Sequence, residues 1–257
     1  MGRTRLHVII LAAGRGSRLG ALVEDRSKWL LEVEGGTIAE RQLAALRDPA
    51  LSNGSNAMAS ALVVTGHAPE ATARFLRSYG DPRVRTVHNP EYSTLNNWYS
   101  LLVGLREVRP ADGDRVAVLN ADLFAQPEWL ASFLCESART DAEALIAVDV
   151  QQPVTDESMK VAVRGDLLDR IGKAGIDEPV GEYVGMLMAR GVVLEDLRRT
   201  LESFAGRAEA ADNWYEAAVG ITAREGSPWT MWATPSSDWV EIDDDADYER
   251  ARSLCRS

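Results

Sequence analysis

Ten residues near the start of the chain, Leu11-Ala12-Ala13-Gly14-Arg15-Gly16-Ser17-Arg18-Leu19-Gly20, are followed eight positions later by Lys28. Glycines at 14 and 16 let the backbone approach a ligand closely and take positive φ, so that N–H groups converge on phosphate oxygens. Arg15, Arg18 and Lys28 add cations: arginine forks onto pairs of oxygens and lysine acts as a point charge. The chemistry this suits is polyphosphate binding. A P-loop needs Gly-x4-Gly-Lys-Ser/Thr, which does not occur, and a dinucleotide fingerprint needs a small residue where Leu19 stands. Two acids elsewhere complete the inventory. Asp122 ends Asn120-Ala121-Asp122 and Asp243 ends Trp239-Val240-Glu241-Ile242-Asp243. Carboxylates at two strand ends can hold Mg²⁺, a hard cation that bridges phosphates. From spacing alone, each aspartate reads first as a turn or helix-capping residue.

Positioning these residues requires strands that end together. Strands are expected at 8–13, 61–65, 84–88 and 116–122, alternating with helices at 39–47, 70–79 and 95–108. That alternation predicts an α/β fold with a Rossmann-like mixed, mostly parallel sheet flanked by helices. Ligands collect at the carboxyl ends of such strands, where the glycine loop, Asn89 and Asp122 all lie. Residues 48–60 are small and polar and read as a mobile connection. Beyond 122, strands are expected near 144–150, 160–164 and 183–189, helices near 194–204 and 212–223, strands at 229–233 and 239–242, and a helix from Asp245. No internal repeat is seen. A single domain is expected over 1–257, with a nucleotide-binding half to about residue 125 and an acceptor-binding half from about 126.

The chain has 257 residues, 46% of them apolar, enough for a sizeable core. A net charge of −11 argues against nucleic acid as a partner, because such binders carry a basic patch or domain. Two cysteines, Cys135 and Cys255, lie far apart without metal-ligand neighbours, which suits a reducing compartment. The apolar run at 6–13 is too short to span a membrane. A cytoplasmic location without membrane contact is expected, and a homodimer is compatible with the sequence.

The string Leu-Ala-Ala-Gly-x-Gly-Ser-Arg-Leu, followed by Lys28-x-Leu30-Leu31-x-Val33-x-Gly35, resembles the signature of nucleotidyltransferases that couple an NTP to a phosphorylated small molecule. Glu40-Arg41-Gln42, Asn96-Asn97-Trp98-Tyr99-Ser100-Leu101, Asn120-Ala121-Asp122 and Glu241-Ile242-Asp243 make the chain most similar to the phosphocholine cytidylyltransferase branch and its phosphonate-using relatives. The resemblance covers nearly the whole chain. It implies a GT-A-like nucleotidyltransferase fold, CTP as donor, and Mg²⁺ held by Asp122 and Asp243. It also implies Lys28 beside the α-phosphate and Arg18 on the β- and γ-oxygens.

Residues 11–18 would bind the nucleotide together with Lys28, Gly66, Asn96, Asn97, Ser100 and Asp122. The asparagines offer both a donor and an acceptor to a base edge, although helix capping uses the same groups. His67 reads as structural. For the acceptor, a phosphate or phosphonate, Lys160 and Lys173 are candidate cations. A quaternary ammonium would want an aromatic cage with an anion, from Trp98, Trp214, Tyr215 or Trp232 and Glu182, Asp212 or Glu216. For any single tryptophan, core packing is the favoured reading. Two rivals remain at this stage: a sugar-1-phosphate or inositol-phosphate nucleotidyltransferase, and a nucleotide-binding protein without turnover.

Overall fold

Strands that are apolar on both faces must be covered on both sides, and the first half of the chain folds accordingly. The computed structural model describes residues 4–51 and 56–256. The chain opens with β1 (Thr4–Ala12), 3-10 turns at Ser17–Leu22 and Lys28–Leu30, the short hairpin β2 (Glu32–Val33) and β3 (Gly36–Thr37), and α1 (Ile38–Ala45). Then come β4 (Asn56–Thr65), α2 (Pro69–Tyr79), β5 (Val84–His88), α3 (Asn97–Glu107) and β6 (Arg115–Asn120). The second half adds β7 (Leu123–Ala125), α4 (Pro127–Arg139), β8 (Ala144–Asp149), β9 (Lys160–Arg164), β10 (Leu167–Gly172) and β11 (Gly181–Arg190). It ends with α5 (Gly191–Phe204), α6 (Tyr215–Arg224), β12 (Trp229–Ala233), β13 (Trp239–Glu241) and α7 (Asp245–Leu254).

One sheet carries nine of these strands in the order β5-β4-β1-β6-β11-β8-β12-β10-β9. The pairs from β5 to β6 are parallel. β11 runs against β6 and β8, β12 lies parallel to β8, and β10 opposes β12 and β9. Only β11 and β10 therefore oppose the rest, which makes the sheet mixed and mostly parallel. β9 also pairs with the start of β11.

Alternation along β1 sends Val8, Ile10 and Ala12 to one core and Ile9 to the other. The first core gathers apolar residues of α1, α2 and α4, and the second those of α3, α5 and α6. The C-terminal ends of β1 and β6 lie together, and the loops that follow them emerge there. Among the described residues no helix is long and apolar enough to cross a membrane.

Several boundaries differ from the sequence expectation. The sequence reading assigns no element to 127–139, where α4 forms with proline in its first turn and Trp129, Leu130, Phe133 and Leu134 buried at helical spacing. The strand expected at 116–122 stops at Asn120, so Asp122 sits in the turn before β7. The mobile connection expected at 48–60 is a 3-10 turn at Pro49–Leu51, with 56–60 already in β4; residues 52–55 lie outside the described residues. Helix α6 starts at Tyr215 rather than 212, and β10 is a strand the reading omits.

Candidate active site

The glycine loop leaves β1 and is held by hydrogen bonds and by Leu19, which is buried in the first core. The Ser27 hydroxyl donates to Ala12 O at 3.1 Å, and the His67 N–H donates to Ala13 O at 3.0 Å. Gly16 has φ 63°, and a Cβ there would lie 3.3 Å from both Lys28 Cβ and Val23 Cγ2. Gly14 departs from the expectation: its φ is not positive and a Cβ would meet open space. Ser27 caps the turn that carries Lys28, accepting from the Trp29 N–H.

A residue the sequence reading left without a role ties this loop to the sheet. Gln42 is fully buried; its Oε1 accepts from the Trp29 indole at 2.9 Å, and its Nε2 donates to Asn120 O at 2.9 Å and Leu123 O at 3.0 Å. One side-chain amide thus fixes the turn of Lys28 relative to the strand end that precedes Asp122. A buried polar side chain in an otherwise apolar helix face is the signal that marks it.

Tertiary folding brings the loop's cations to both distant aspartates. Lys28 Nζ donates to Asp122 Oδ2 at 3.0 Å and to Asp243 Oδ1 at 2.5 Å. Arg18, more exposed, donates to Asp243 Oδ2 at 2.8 Å. Burial by itself would lower the Lys28 pKa, but the two carboxylates outweigh it and hold the ammonium charged, above its usual range. Burial likewise works to raise Asp243, and Lys28 with Arg18 reverses it to a net lowering. Asp122 Oδ1 is buried with no hydrogen-bond partner. These two carboxylates are the oxygen donors available to a divalent ion; no group of three or more His, Cys, Asp or Glu among the described residues is placed to hold one. A pocket of about 190 Å³ lies here, lined by Gly16, Ser17, Arg18, Lys28, Asp122 and Asp243.

Next to it opens a cleft of about 1110 Å³. Arg18, Asp122 and Asp243 border both spaces. Asn96, Asn97 and Ser100 line the cleft, yet all three are already engaged. Asn96 caps α3 by accepting from the Asn97 N–H at 2.7 Å and donates to Asp212 O at 3.1 Å. Asn97 Oδ1 accepts from the Tyr215 N–H at 2.9 Å, and the Ser100 hydroxyl accepts from Asn89 Nδ2 at 2.9 Å. The two asparagines pin the start of α3 to the start of α6, and Ser100 ties α3 to Asn89 after β5.

The same cleft is also lined by a mostly buried acidic network. Tyr183 and Tyr215 hydroxyls are 2.8 Å apart, Tyr215 donates to Asn120 Oδ1 at 3.0 Å, and Asn120 Nδ2 donates to Glu241 Oε1 at 3.3 Å. Burial, then the charge of Asp122, pushes Glu241 well above the ordinary carboxylate range. Burial also raises Glu216 from 4.5 to about 7 against the pull of a backbone N–H and of Asn97. Glu216 Oε2 faces no hydrogen-bond partner. Gly185, with φ 76°, is required beside this network, because a Cβ there would come within 2.8 Å of Asn120 Nδ2 and 2.9 Å of Glu241 Oε1.

The remaining expected residues divide between cleft and core. Lys173, Glu182 and Trp214 line the cleft, with Lys173 Nζ 5.2 Å from the Trp214 ring centre and 3.2 Å from Glu157 Oε2. Burial raises Glu182 despite a hydrogen bond from Ser158. Trp98 is 1% exposed and packs edge-on to Phe204, so it cannot form a cage wall. Trp232 packs against Phe133 in the first core, and Tyr215 is fully buried. Lys160 spends its ammonium on the Lys173 carbonyl at 2.9 Å. Gly66 serves close packing: a Cβ would fall 2.5 Å from Tyr92 and 2.6 Å from Ala13 O. Arg15 stacks over Tyr92 at 5.5 Å. His67 Nε2 lies 3.4 Å from Glu24 O. Trp239 lines the cleft instead, its indole donating to the buried Asp149 carboxylate at 2.8 Å. The aromatic candidates were hard to sort by sequence because a tryptophan's face is chosen by packing across the sheet.

Comparison with known proteins agrees with the motifs. The chain is 26% identical over 254 residues, 96% of its length, to the CMP-5'-(3-aminopropyl)phosphonate synthase of Streptomyces rubellomurinus. It is 30% identical over 103 residues, 40% of its length, to the choline-phosphate cytidylyltransferase of Streptococcus pneumoniae. It spans 38% and 41% of those two relatives. In fold, it matches the CTP:phosphocholine cytidylyltransferase structure from S. pneumoniae with a TM-score of 0.75 at 21% identity, covering 98% of this chain and 99% of that one. The inositol-1-phosphate CTP transferase from T. maritima gives 0.77 at 20% identity, covering 98% and 97%. The model of the MobA-like NTP transferase domain matches residues 8–218, and the chain belongs to that family.

Proposed function

We propose that the chain transfers a CMP group from CTP to a small acceptor carrying a phosphate or phosphonate and a cationic amine, with release of pyrophosphate. The observation that carries this reading is the wall of Arg18, Asp122 and Asp243 common to the loop pocket and the cleft. A triphosphate seated on Gly16, Ser17, Arg18 and Lys28 brings its α-phosphorus to that wall, and an acceptor in the cleft meets it there. An acceptor oxygen attacks the α-phosphorus, the bond to the oxygen bridging the α- and β-phosphorus breaks, and pyrophosphate carries away the electron pair. The acceptor oxyanion is nucleophilic already, so no general base is required. Lys28 and Arg18 neutralise charge on the phosphates, and the rate gain comes from alignment and charge stabilisation.

Mg²⁺ fits this donor set. It binds through one or two carboxylates plus substrate phosphates, and the unpartnered Asp122 Oδ1 is such an oxygen. Asp122 and Asp243 would hold it, and when bound it neutralises developing charge on the phosphate oxygens. Support for an amine on the acceptor comes from the cleft's acids. Glu216 has a buried oxygen lacking a donor, and an ammonium group supplies one. The Streptomyces relative, aligned over 96% of this chain, is named for a CMP ester of an aminoalkylphosphonate.

The test is pyrophosphate release with CTP, UTP, ATP or GTP against 2-aminoethylphosphonate, 3-aminopropylphosphonate, phosphocholine, phosphoethanolamine, inositol 1-phosphate and glucose 1-phosphate. The expected result is the highest kcat/KM for CTP with an amine-bearing acceptor. Turnover with sugar phosphates alone would overturn the acceptor assignment. CTP binding without turnover on any acceptor would favour a binding protein.

A further inference from the structure

We infer that Lys28 stands in for a divalent cation between Asp122 and Asp243, so that metal and nucleotide bind with strong mutual dependence. The inference rests on reading this pocket as a triphosphate and metal site. Three of the four aspartate oxygens are taken by the chain's own cations: Asp122 Oδ2 and Asp243 Oδ1 by Lys28, and Asp243 Oδ2 by Arg18. Two negative and two positive groups leave the cluster formally neutral. A divalent ion entering it must displace Lys28, whose ammonium is buried and hydrogen-bonds to these two carboxylates. An ammonium displaced into a buried site without a new partner is costly. The same holds in reverse. A triphosphate that draws Lys28 and Arg18 to its oxygens leaves two neighbouring carboxylates facing each other, a costly state until a cation joins them.

The local geometry permits the exchange. Lys28 is held by its backbone in a turn capped by Ser27. Its aliphatic stem passes Gly16, where a Cβ would lie 3.3 Å from Lys28 Cβ and 3.5 Å from its Cδ. Glycine at this position leaves room for the stem to swing from the aspartates to a phosphate on the loop. Each ligand removes the obstacle to the other, and the coupling is reciprocal by thermodynamic linkage.

Binding of Mn²⁺ followed by the electron paramagnetic resonance of the free ion, with and without CTP, tests this after correction for the Mn²⁺–CTP complex formed in solution. In the wild type, CTP should tighten Mn²⁺, and Mn²⁺ should tighten CTP, by one common factor of about tenfold or more. Lys28→Met should bind Mn²⁺ alone about tenfold more tightly than wild type, with a smaller coupling factor. Equal or weaker Mn²⁺ binding by a folded Lys28→Met protein would overturn the inference. Should that variant not fold, Arg18→Ala serves: its guanidinium is exposed, and its loss should tighten Mn²⁺ by a smaller factor, with no tightening counting against the inference. If CTP fails to bind the wild type, the proposed function fails, while the metal-alone comparison still decides the role of Lys28.

Discussion

Replacing Glu216 by glutamine should remove a pH dependence of stability built into the cleft. Glu216 is 5% exposed, and burial raises its carboxyl from 4.5 to about 7. Between those values the folded protein keeps a proton that the unfolded chain has released. Folding stability therefore falls as pH rises through this window, because the native state binds more protons than the unfolded state. The gap between 4.5 and about 7, at about 1.4 kcal/mol per pH unit, corresponds to about 3 kcal/mol. Glutamine keeps the shape and hydrogen-bonding capacity of the protonated acid and has no proton to lose. It also removes a charge that raises Glu241, which adds to the effect in the same direction. Urea unfolding with EDTA present, from pH 4.5 to 8.5, should show near-equal stability at the acid end. The variant should become more stable by about 3 kcal/mol above pH 7.5, a midpoint difference of about 1 M urea at an m-value of about 3 kcal/mol/M. A constant difference across the range would refute the assignment of the proton to Glu216.

Asp122→Asn and Asp243→Asn should each lower kcat for pyrophosphate release by at least about 10²-fold with the circular dichroism spectrum unchanged, since each removes a charge from the reacting centre; wild-type rates in both would exclude the two-carboxylate site. Gln42→Leu should destabilise the protein by about 3 kcal/mol, because it leaves the buried Trp29 indole N–H unpaired and takes a donor from two carbonyls; thermal unfolding measures this, and a neutral effect would remove Gln42 as the link between loop and sheet.

The four parallel strands of the first half were legible because their signals are local, whereas Asp122 and Asp243 were singled out by the family resemblance and not by a local pattern. A strand buried on both faces must be apolar throughout, as at residues 8–10, and a phosphate loop must combine small residues with cations. Helix α4 has an equally local pattern, Trp129-Leu130 and Phe133-Leu134 at helical spacing, although no helix is expected there from the sequence. The end of β6 was less legible, since Asn120-Ala121-Asp122 continues the strand's composition while the backbone turns there to form β7.

By itself the sequence marked the residue types that suit a polyphosphate and the existence of the parallel strands that carry them, because residue type and short-range periodicity govern both. Only the tertiary structure decided who meets whom. Lys28 reaches Asp122 and Asp243 across 94 and 215 residues of chain. Trp98 and Trp232 were turned into the cores while Trp214 and Trp239 were left at the cleft, and Glu216 was buried near the half-buried Glu241. Which face of an element packs inward, and how far a carboxylate is removed from water, depend on neighbours that are distant in the chain. Those neighbours set both the neutral cluster around Lys28 and the proton held by Glu216.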